Sequence, residues 1–372
     1  MQRLRTARRL TFRLREGSIV GVNPSYGTAR RMPPSLINLL ARTEDWVEQE
    51  TLASELEQLT GEVNRGRDAL NALVAEGFLL AEGSEAAAQE GIFEEAWPFG
   101  ESTADHYVVT HSLRFSDDRS EAVAYGRLLA KHAEDKLVGR GDDSVTAISL
   151  PHELDEAFES ILAKRRSRRD FTEESIDITE VGGVLWAGAG VQKYREIPGR
   201  PSLPLTFAPS AGGLNGIDLY VLASNVSGLP EGAYRYLAAD SALEPLASDH
   251  HFDAQFLIGN QRWASTAGLI ILMIGNVSRT AWKYDAASGF NAMLIQAGHI
   301  GQNILLAASQ LSLGAVPSNA LHVGEIEKVL GLTVGKHVVL SCIGIGRVQG
   351  EVSSYDEYLP SDLAVLRKMS EL

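Results

Sequence analysis

The feature that most constrains the fold is a long apolar stretch at residues 292–310. Its apolar side chains occupy nearly every side of an α-helix, so this helix is expected to lie in a core or at a subunit interface. Shorter apolar runs at residues 217–223, 269–274 and 338–345 have the length of buried β-strands. A long buried helix mixed with separate apolar strands predicts an α+β domain.

The overall composition excludes several classes of protein. Hydrophobic residues make up 44% and charged residues 22% of the 372 residues, values that are typical of a packed globular chain. The formal net charge of −14 argues against a broad nucleic-acid surface, which requires a basic face. The one cysteine, Cys342, can form no disulfide within the chain, so a reducing, cytoplasmic location is expected. No apolar run approaches the roughly 20 residues of a membrane helix.

Residues 1–82 form a separable pattern at the beginning of the chain. Two strands flank a turn at Glu16-Gly17, a helix begins near Pro34, and a third helix ends near Gly77 before a short strand. A second, acidic helix lies between them. Strands, three short helices and a closing strand predict a small winged-helix-like domain.

The function and the extent of this first domain follow from its charges and from the residues after it. A winged-helix domain binds DNA or a peptide, and the acidic second helix would repel phosphate, which favours a peptide. A purely structural domain is the alternative. Residues 83–150 are predicted to be a loop or helical linker, and residues 151–372 to form the second, α+β domain.

Two segments of the second domain are candidates for ligand binding. At residues 164–169 five cations surround Ser167, and guanidinium groups bind phosphate bidentately while a hydroxyl adds a donor. A solvated basic stretch is the alternative. The loop at residues 209–215 is rich in small residues, which allow the backbone to approach a flat ligand closely, although an ordinary turn has the same composition.

Five short motifs follow one another along the second domain. They are Arg-Arg-Ser-x-Arg-x-Phe at 165–171, Pro-Ser-Ala-Gly at 209–212, Trp-Lys-Tyr at 282–284, Gly-His-x-x-Gln-Asn at 298–303 and Gly-x-Gly-Arg at 344–347. Together they resemble the nitroreductase superfamily, and specifically its SagB-type FMN-dependent dehydrogenases. These enzymes oxidise azolines to azoles in the biosynthesis of ribosomally made peptides. The resemblance covers about residues 90–355.

The resemblance implies a fold and a cofactor site. The implied fold is a mixed, largely antiparallel sheet wrapped by helices, which forms a homodimer with FMN at the subunit interface. The FMN phosphate and ribityl chain would be held by Arg165, Arg166, Ser167 and Arg169, with Arg347 closing the phosphate site. Charge and donor count agree with this assignment.

Two further backbone segments would contact the flavin ring by the same resemblance. The loop of the partner subunit would lie against the isoalloxazine through Pro209, Ser210, Ala211 and Gly212. Near the flavin N5, Gly314 and Ala315 would supply backbone donors.

Lys283 and Tyr284 are the implied catalytic pair. Converting a thiazoline or an oxazoline into the aromatic azole removes one proton and one hydride from adjacent carbons. FMN accepts the hydride, so a side chain must accept the proton, and the resemblance assigns this role to the Lys-Tyr pair. The alternative is that Lys283 binds phosphate or solvent while Tyr284 packs against its neighbours.

The resemblance therefore predicts a peptide azoline dehydrogenase that uses O2 as electron acceptor. Its partners would be a second copy of the chain, a precursor peptide whose leader binds the N-terminal domain, and a cyclodehydratase. One alternative is an NAD(P)H-dependent nitro- or quinone reductase of the same superfamily, and another is a non-catalytic peptide-binding scaffold. No metal site is expected, and His299 is expected to be a hydrogen-bonded core residue of the long helix.

Overall fold

The computed structural model describes residues 2–61, 63–111, 150, 153–197, 200–246 and 252–350. Most of the predicted linker, at 112–149, and the last part of the predicted second domain, at 351–372, lie outside the described residues. Within the described ranges, none of the helices is long and apolar enough to span a membrane.

Two small sheets and three helices make up the N-terminal region. The strands are β1 (Arg3–Thr6), β2 (Thr11–Arg15), β3 (Ser18–Asn23), β4 (Thr28–Arg31), β5 (Val47–Glu48) and β6 (Leu79–Ala81). The helices are α1 (Pro34–Arg42), α2 (Gln49–Thr60) and α3 (Val63–Ala75). The strands pair antiparallel in the orders β5-β1-β6 and β2-β3-β4. Buried side chains that include Leu39, Leu52 and Leu70 give this region an apolar core of its own.

The local signals at the beginning of the chain were sufficient to locate these elements. Glu16 and Gly17 both have positive φ, at 49° and 72°, which is the type I′ geometry that suits a two-residue hairpin. Helix α1 begins with Pro34 in its first turn, where the missing amide hydrogen costs nothing. Gly77 adopts the left-handed conformation, with φ of 74°, just after α3. The predicted hairpin and helix ends are confirmed, while the likeness to a winged helix stays a prediction.

Two helices follow, α4 (Glu85–Ala96) and α5 (Glu101–His111). Their aromatic side chains are buried and stack, with ring centroids of Phe93 and Trp97 5.0 Å apart and those of Trp97 and Tyr107 5.2 Å apart. The Tyr107 hydroxyl donates a hydrogen bond of 2.7 Å to the buried carboxylate of Glu327. Burial and this carboxylate raise the pKa of Tyr107 well above its usual value. The described part of the predicted linker therefore packs into the core of the second region.

The second region is built around one six-stranded sheet, and four further strands pair outside that sheet. Its strands are β7 (Ile176–Asp177), β8 (Val191–Ile197), β9 (Arg200–Thr206), β10 (Ile217–Ala223), β11 (Val226–Ser227), β12 (Gly232–Leu237), β13 (Ala242–Pro245), β14 (Leu269–Asn276), β15 (Gly314–Ser318) and β16 (His337–Gly346). Its helices are α6 (Glu156–Lys164), α7 (Ile178–Ala189), α8 (Ala254–Leu257), α9 (Val277–Ala281), α10 (Ala287–Gln310) and α11 (Val323–Leu330). Six strands in the order β13-β12-β10-β14-β16-β15 pair antiparallel throughout. The predicted α+β class and largely antiparallel sheet are confirmed.

Both faces of the six-stranded sheet are covered, which explains why its central strands are apolar without interruption. Successive side chains of a strand point to opposite faces. On one face Ile271 and Met273 pack with residues of α7 and α10, and on the other Leu272 and Ile274 pack with Trp263 and α11. Strand β14 is consequently buried along almost its whole length.

Helix α10 has one buried and one exposed side. It begins at Ala287, earlier than the predicted residue 292, and its first turn includes Gly289, which packs against Phe99 of the predicted linker. Its outer side leaves Leu294 42% and Ile295 60% exposed. His299 lies on this exposed side, with Nδ1 3.4 Å from the carbonyl oxygen of Pro209. The prediction that His299 is a core residue was wrong, because the helical period places position 299 one turn after position 295.

Candidate active site

The basic segment after α6 lies beside the beginning of β15. Ser167 pairs with Ala315 in a short parallel bridge, and the amide of Arg168 donates to the Ala315 carbonyl at 2.9 Å. Gly314 allows this approach, since a Cβ on it would lie 3.1 Å from the Cβ of Arg168. Two candidate segments that are far apart in the sequence are therefore neighbours.

The arginines of this segment do not have equal roles. Arg168 makes a bidentate ion pair with Asp170, in which Nε and NH2 donate to the two carboxylate oxygens at 3.0 and 2.8 Å. This pair lowers the pKa of the Asp170 carboxyl below its usual value. Arg165 and Arg169 are half-buried and form no ion pair with the described residues. A bound anion would find these two guanidinium groups available, whereas that of Arg168 is already neutralised.

Arg347 follows the end of β16 and is held by the protein itself. Its guanidinium donates to Glu180 Oε2 at 2.7 Å and to the carbonyl of Ser175 at 3.2 Å. Its backbone carbonyl accepts from the amide of Thr172 at 2.8 Å. An anion at this place would share Arg347 with Glu180, so the residue is oriented in advance but partly neutralised.

The predicted Pro-Ser-Ala-Gly loop is held by internal hydrogen bonds. The Ser210 hydroxyl accepts from the amide of Asn215 at 2.9 Å and donates to Gln296 Oε1 at 3.2 Å. Gln296 also accepts from the amide of Gly216 at 3.2 Å and is buried inside α10. Gly212 has a φ of 61°, which other residues rarely adopt. Gln296 was not predicted from the sequence, although its place among the apolar residues Met293, Ala297 and Ile300 indicates a buried polar contact.

Lys283 and Tyr284 lie against this loop. Their amides donate to the carbonyl of Thr280 at the end of α9, at 3.3 and 3.1 Å. Lys283 Nζ is 5.4 Å from the centroid of the Tyr284 ring, within cation–π range. A Cβ on Gly212 would lie 3.1 Å from Lys283 Nζ and 3.2 Å from the Tyr284 hydroxyl oxygen. The predicted catalytic pair and the predicted flavin loop therefore form one cluster within a single chain.

Arg279 joins the loop to the helix that precedes Lys283. Its guanidinium donates to the Asn215 carbonyl at 2.6 Å and makes a bidentate ion pair with the carboxylate of Asp218, at 2.9 and 3.1 Å. This ion pair was not predicted from the sequence, although the charge of Asp218 inside the apolar run 217–223 indicates that a partner is needed.

A cavity of about 270 Å³ lies next to this cluster. Asn215, Asp218, Arg279 and Gln296 are among its lining residues. The loop therefore borders open space at Asn215, where Arg279 and Gln296 hold it together with the hydrogen bonds that Asn215 makes to Thr206 and Pro204.

We expect the substitution Arg279→Met to loosen the loop. It removes charge-assisted hydrogen bonds, which are worth roughly 1.5–3 kcal/mol each, and leaves the Asp218 carboxylate without its closest partner. Hydrogen exchange of the amides at 209–216 should accelerate by at least about tenfold. The control is Arg195→Met on the exposed part of β8, and unchanged protection of the loop in Arg279→Met would contradict the assigned role.

The two clusters of candidate residues remain distinct within one chain. Among the described residues, no hydrogen bond or ion pair joins the group of Arg165, Ser167, Ala315 and Arg347 to the group around Gly212. The first group fits a phosphate, since it offers two unneutralised guanidinium groups beside a hydroxyl. No group of His, Cys, Asp and Glu residues in the described part of the chain could hold a metal ion.

Two known proteins have sequences similar to this chain. The nitroreductase MJ1384 of Methanocaldococcus jannaschii is 28% identical over 201 residues, which are 54% of this chain and 96% of that protein. The trifolitoxin operon protein TfxC of Rhizobium leguminosarum bv. trifolii is 25% identical over 314 residues, which are 79% of this chain and 84% of that protein.

Two solved structures are similar at lower identity. The E. coli microcin synthetase McbBCD complex, solved with truncated pro-MccB17 bound, matches with 17% identity and a TM-score of 0.44, covering 68% of this chain and 98% of the matched chain. A nitroreductase of Desulfovibrio desulfuricans, solved in complex with FMN, matches with 19% identity and a TM-score of 0.37, covering 57% and 96% of the two chains.

The family itself is decided by the sequence. The profile of the nitroreductase family matches residues 162–347, which is half of the chain. This range contains all thirteen candidate site residues, from Arg165 to Arg347. The chain belongs to the nitroreductase family.

Proposed function

We propose that this protein is an FMN-dependent dehydrogenase that oxidises azolines in a peptide to azoles. The observation that carries the proposal is the cluster in which Lys283 and Tyr284 lie against Gly212 of the predicted flavin loop. A reductase that takes hydride from a nicotinamide needs no base at this place, whereas azoline oxidation does.

The chemistry requires a proton acceptor next to the carbon that is oxidised. Lys283 is an exposed residue and its Nζ lies close to Gly212, so it would be able to take a proton from a substrate that lies over this glycine. The Tyr284 hydroxyl is close enough to the same glycine to donate a hydrogen bond to that substrate or to orient the lysine. When bound, FMN would supply the hydride acceptor, and O2 would be the final acceptor of the two electrons, with H2O2 as product.

The phosphate end of the cofactor would be held by the basic cluster. Arg165, Arg169 and the Ser167 hydroxyl would bind the phosphate, with Arg347 contributing although it is shared with Glu180. In this proposal Arg166 adds positive charge, and the amides of Gly314 and Ala315 face the ring.

A homodimer would bring the two clusters together. The outer side of α10 leaves Leu294 and Ile295 exposed, and an apolar surface of this kind on a family member is expected to be covered by a second copy. The loop 209–212 of the partner subunit would then complete the site of the first.

The N-terminal region would recognise the peptide substrate. We propose the division of the chain at residues 1–82, 83–150 and 151–372, with a precursor peptide bound by the first unit and a cyclodehydratase as the enzyme that makes its azolines. Similarity to a protein of a toxin operon supports a biosynthetic role. That similarity extends beyond the family match, because its 314 residues exceed the matched range 162–347.

The test follows the visible absorption band of the flavin under anaerobic conditions. We expect a peptide that contains a thiazoline or an oxazoline to bleach the flavin band of the purified, flavin-loaded protein. Mass spectrometry should then detect the azole product, because the peptide has lost two hydrogen atoms. A matched peptide that already carries the azole is the control and should leave the band unchanged.

A nitro- or quinone reductase is the second candidate, because the archaeal relative is named a nitroreductase. The same experiment separates the two functions. Rapid bleaching by NADPH or NADH, without bleaching by the azoline peptide, would establish the reductase and overturn our proposal.

A further inference from the structure

We propose that a cavity between the N-terminal region and helices α4 and α5 binds a free amino acid with an apolar side chain, in its zwitterionic form. Among the described residues that line this cavity, none is a candidate active-site residue. Binding at this place involves neither the flavin nor an azoline, so it is a second function of the chain.

Three parts of the chain line the cavity, which has a volume of about 270 Å³. Arg9 and Tyr26 come from the N-terminal region, Glu90, Phe93 and Val108 from α4 and α5, and Val334 from the segment before β16. The volume is close to the lower end of the range for small-molecule sites, about 300–1,000 Å³. A cavity of this size suits a single amino acid better than an extended peptide.

Helix α4 contributes one face to the cavity. Ala86, Glu90 and Phe93 follow one another at intervals of four and three residues, so they lie on the same side of the helix. Phe93 is 3% exposed, and the side chain of Glu90 is 11% exposed. A carboxylate that is buried between two apolar residues needs partners of its own.

The partners of Glu90 satisfy its carboxylate only in part. Arg5 NH1 lies 2.6 Å from Glu90 Oε2, and the amide of Arg8 donates to Glu90 Oε1 at 2.9 Å. The contact with Arg5 is an ion pair without hydrogen-bond geometry, and the buried Oε2 accepts no hydrogen bond from the described residues. Glu90 Oε2 can therefore still accept a hydrogen bond from a ligand.

Arg9 brings the opposite charge to the same cavity. Its guanidinium carbon lies 4.8 Å from the centroid of the Phe93 ring, within cation–π range. Arg9 NH1 is 3.5 Å from Asp105 Oδ1, which is long for a hydrogen bond, and the buried Nε has no hydrogen-bond partner in the described part of the chain. Arg9 is paired with Asp105 and Glu90 with Arg5, so the two charges of the cavity do not neutralise each other.

Two incompletely bonded groups of opposite charge select a zwitterion. The ammonium of an amino acid would donate to Glu90, and its carboxylate would accept from the Arg9 guanidinium. A simple anion would be attracted by Arg9 but repelled by Glu90, and a simple cation would meet the reverse difficulty. A neutral apolar molecule would leave both groups without a partner.

The other walls of the cavity suit an apolar side chain. Val108 and Val334 are partly buried and pack against the core of the second region, beside the buried ring of Phe93. Burial and the charge of Glu90 raise the pKa of Tyr26 above its usual value. The Tyr26 hydroxyl therefore stays protonated at neutral pH and can donate to the ligand carboxylate.

The experiment measures the binding of three matched probes to the full chain by isothermal titration calorimetry. L-Leucine carries both charges, 4-methylpentanoate lacks the ammonium, and leucinamide lacks the carboxylate. We expect leucine to bind at least about tenfold more tightly than either of the others, because each of them loses one charge-assisted hydrogen bond. The comparison uses the unmodified protein, so it does not depend on the folding of a variant.

Two pairs of variants test where leucine binds. Arg9→Met should bind leucine and leucinamide with similar affinity, whereas Arg8→Met, at the neighbouring and more exposed arginine, should keep the difference. Ala86→Phe fills the cavity and should weaken leucine binding by about tenfold or more. Its control is Ala88→Phe at an exposed position of the same helix, which should leave leucine binding unchanged.

Several results would overturn the amino-acid site. Equal affinities of the three probes, or no binding of leucine at about 10 mM, would exclude a site for a zwitterion. Tighter binding of 4-methylpentanoate than of leucine would identify a plain anion site instead. A preference for leucine that persists in Arg9→Met, or unchanged binding in Ala86→Phe, would place leucine outside this cavity. Absence of azoline oxidation in a protein that binds leucine would reject the proposed reaction and leave the amino-acid site established.

Discussion

Replacing Lys283 by alanine is expected to leave the protein loaded with flavin while azoline oxidation slows by about a hundredfold or more. A positioned general base contributes roughly 10²–10⁴-fold to a rate, and the amine of Lys283 is among the atoms nearest to Gly212. Flavin content should be retained, because the residues proposed to hold the phosphate belong to the separate cluster around Ser167 and Ala315. The measurement is the rate of flavin reduction by an azoline peptide in a single anaerobic turnover.

Controls make this test specific to the proton transfer. Lys336→Ala removes another exposed lysine and should leave the rate unchanged. A small primary amine added to Lys283→Ala should restore part of the rate, since it can occupy the space of the missing side chain and accept the proton. Normal turnover in the flavin-loaded variant would reject the role as base, and loss of flavin would show that Lys283 holds the cofactor.

The substitution Arg5→Met is expected to lower the free energy of unfolding of the N-terminal region by about 3–5 kcal/mol. Arg5 NH1 lies 2.6 Å from Glu90 Oε2, at an angle that makes an ion pair rather than a directed hydrogen bond, and both side chains are almost 90% buried or more. Methionine keeps much of the volume but leaves the Glu90 carboxylate buried without its cation. Hydrogen exchange of β1 and α4 measures the effect.

Two further variants decide whether burial is the cause. Arg3 and Glu82 form a similar ion pair at the surface, with side chains 47% and 38% exposed, so Arg3→Met should cost at most about 1 kcal/mol. The double variant Arg5→Met/Glu90→Leu should recover most of the lost stability, because no charge is left buried. Equal losses in the free energy of unfolding for Arg5→Met and Arg3→Met would show that burial does not increase the contribution of the Arg5–Glu90 pair.

Elements with strong local signals were predictable from the sequence. The turn at Glu16-Gly17 and the left-handed Gly77 depend on the conformations of one or two residues, and both were placed correctly. The strand 217–223 has the predicted bounds because an apolar run of that length fits a sheet covered on both faces.

Features that depend on distant contacts were not predictable. The first turn of α10 packs through Gly289 on Phe99, and the partner of Tyr107 is Glu327, more than two hundred residues away. His299 was expected in the core because its helix is apolar, but only the position of the sheet decides which side of that helix is buried. The same reason explains why Arg279 and Gln296 were missed.

By itself the sequence determined the α+β class, the family and the list of residues that can bind a phosphate or accept a proton, because residue type and order are sufficient for these conclusions. The tertiary structure decided which of these residues lie close together. It paired Arg168 with Asp170, left Arg165 and Arg169 without an ion pair in the described chain, and placed Lys283 against Gly212. Charge neutralisation and side-chain contact require that two residues lie within a few ångströms of each other in space, and their separation along the chain does not determine this distance.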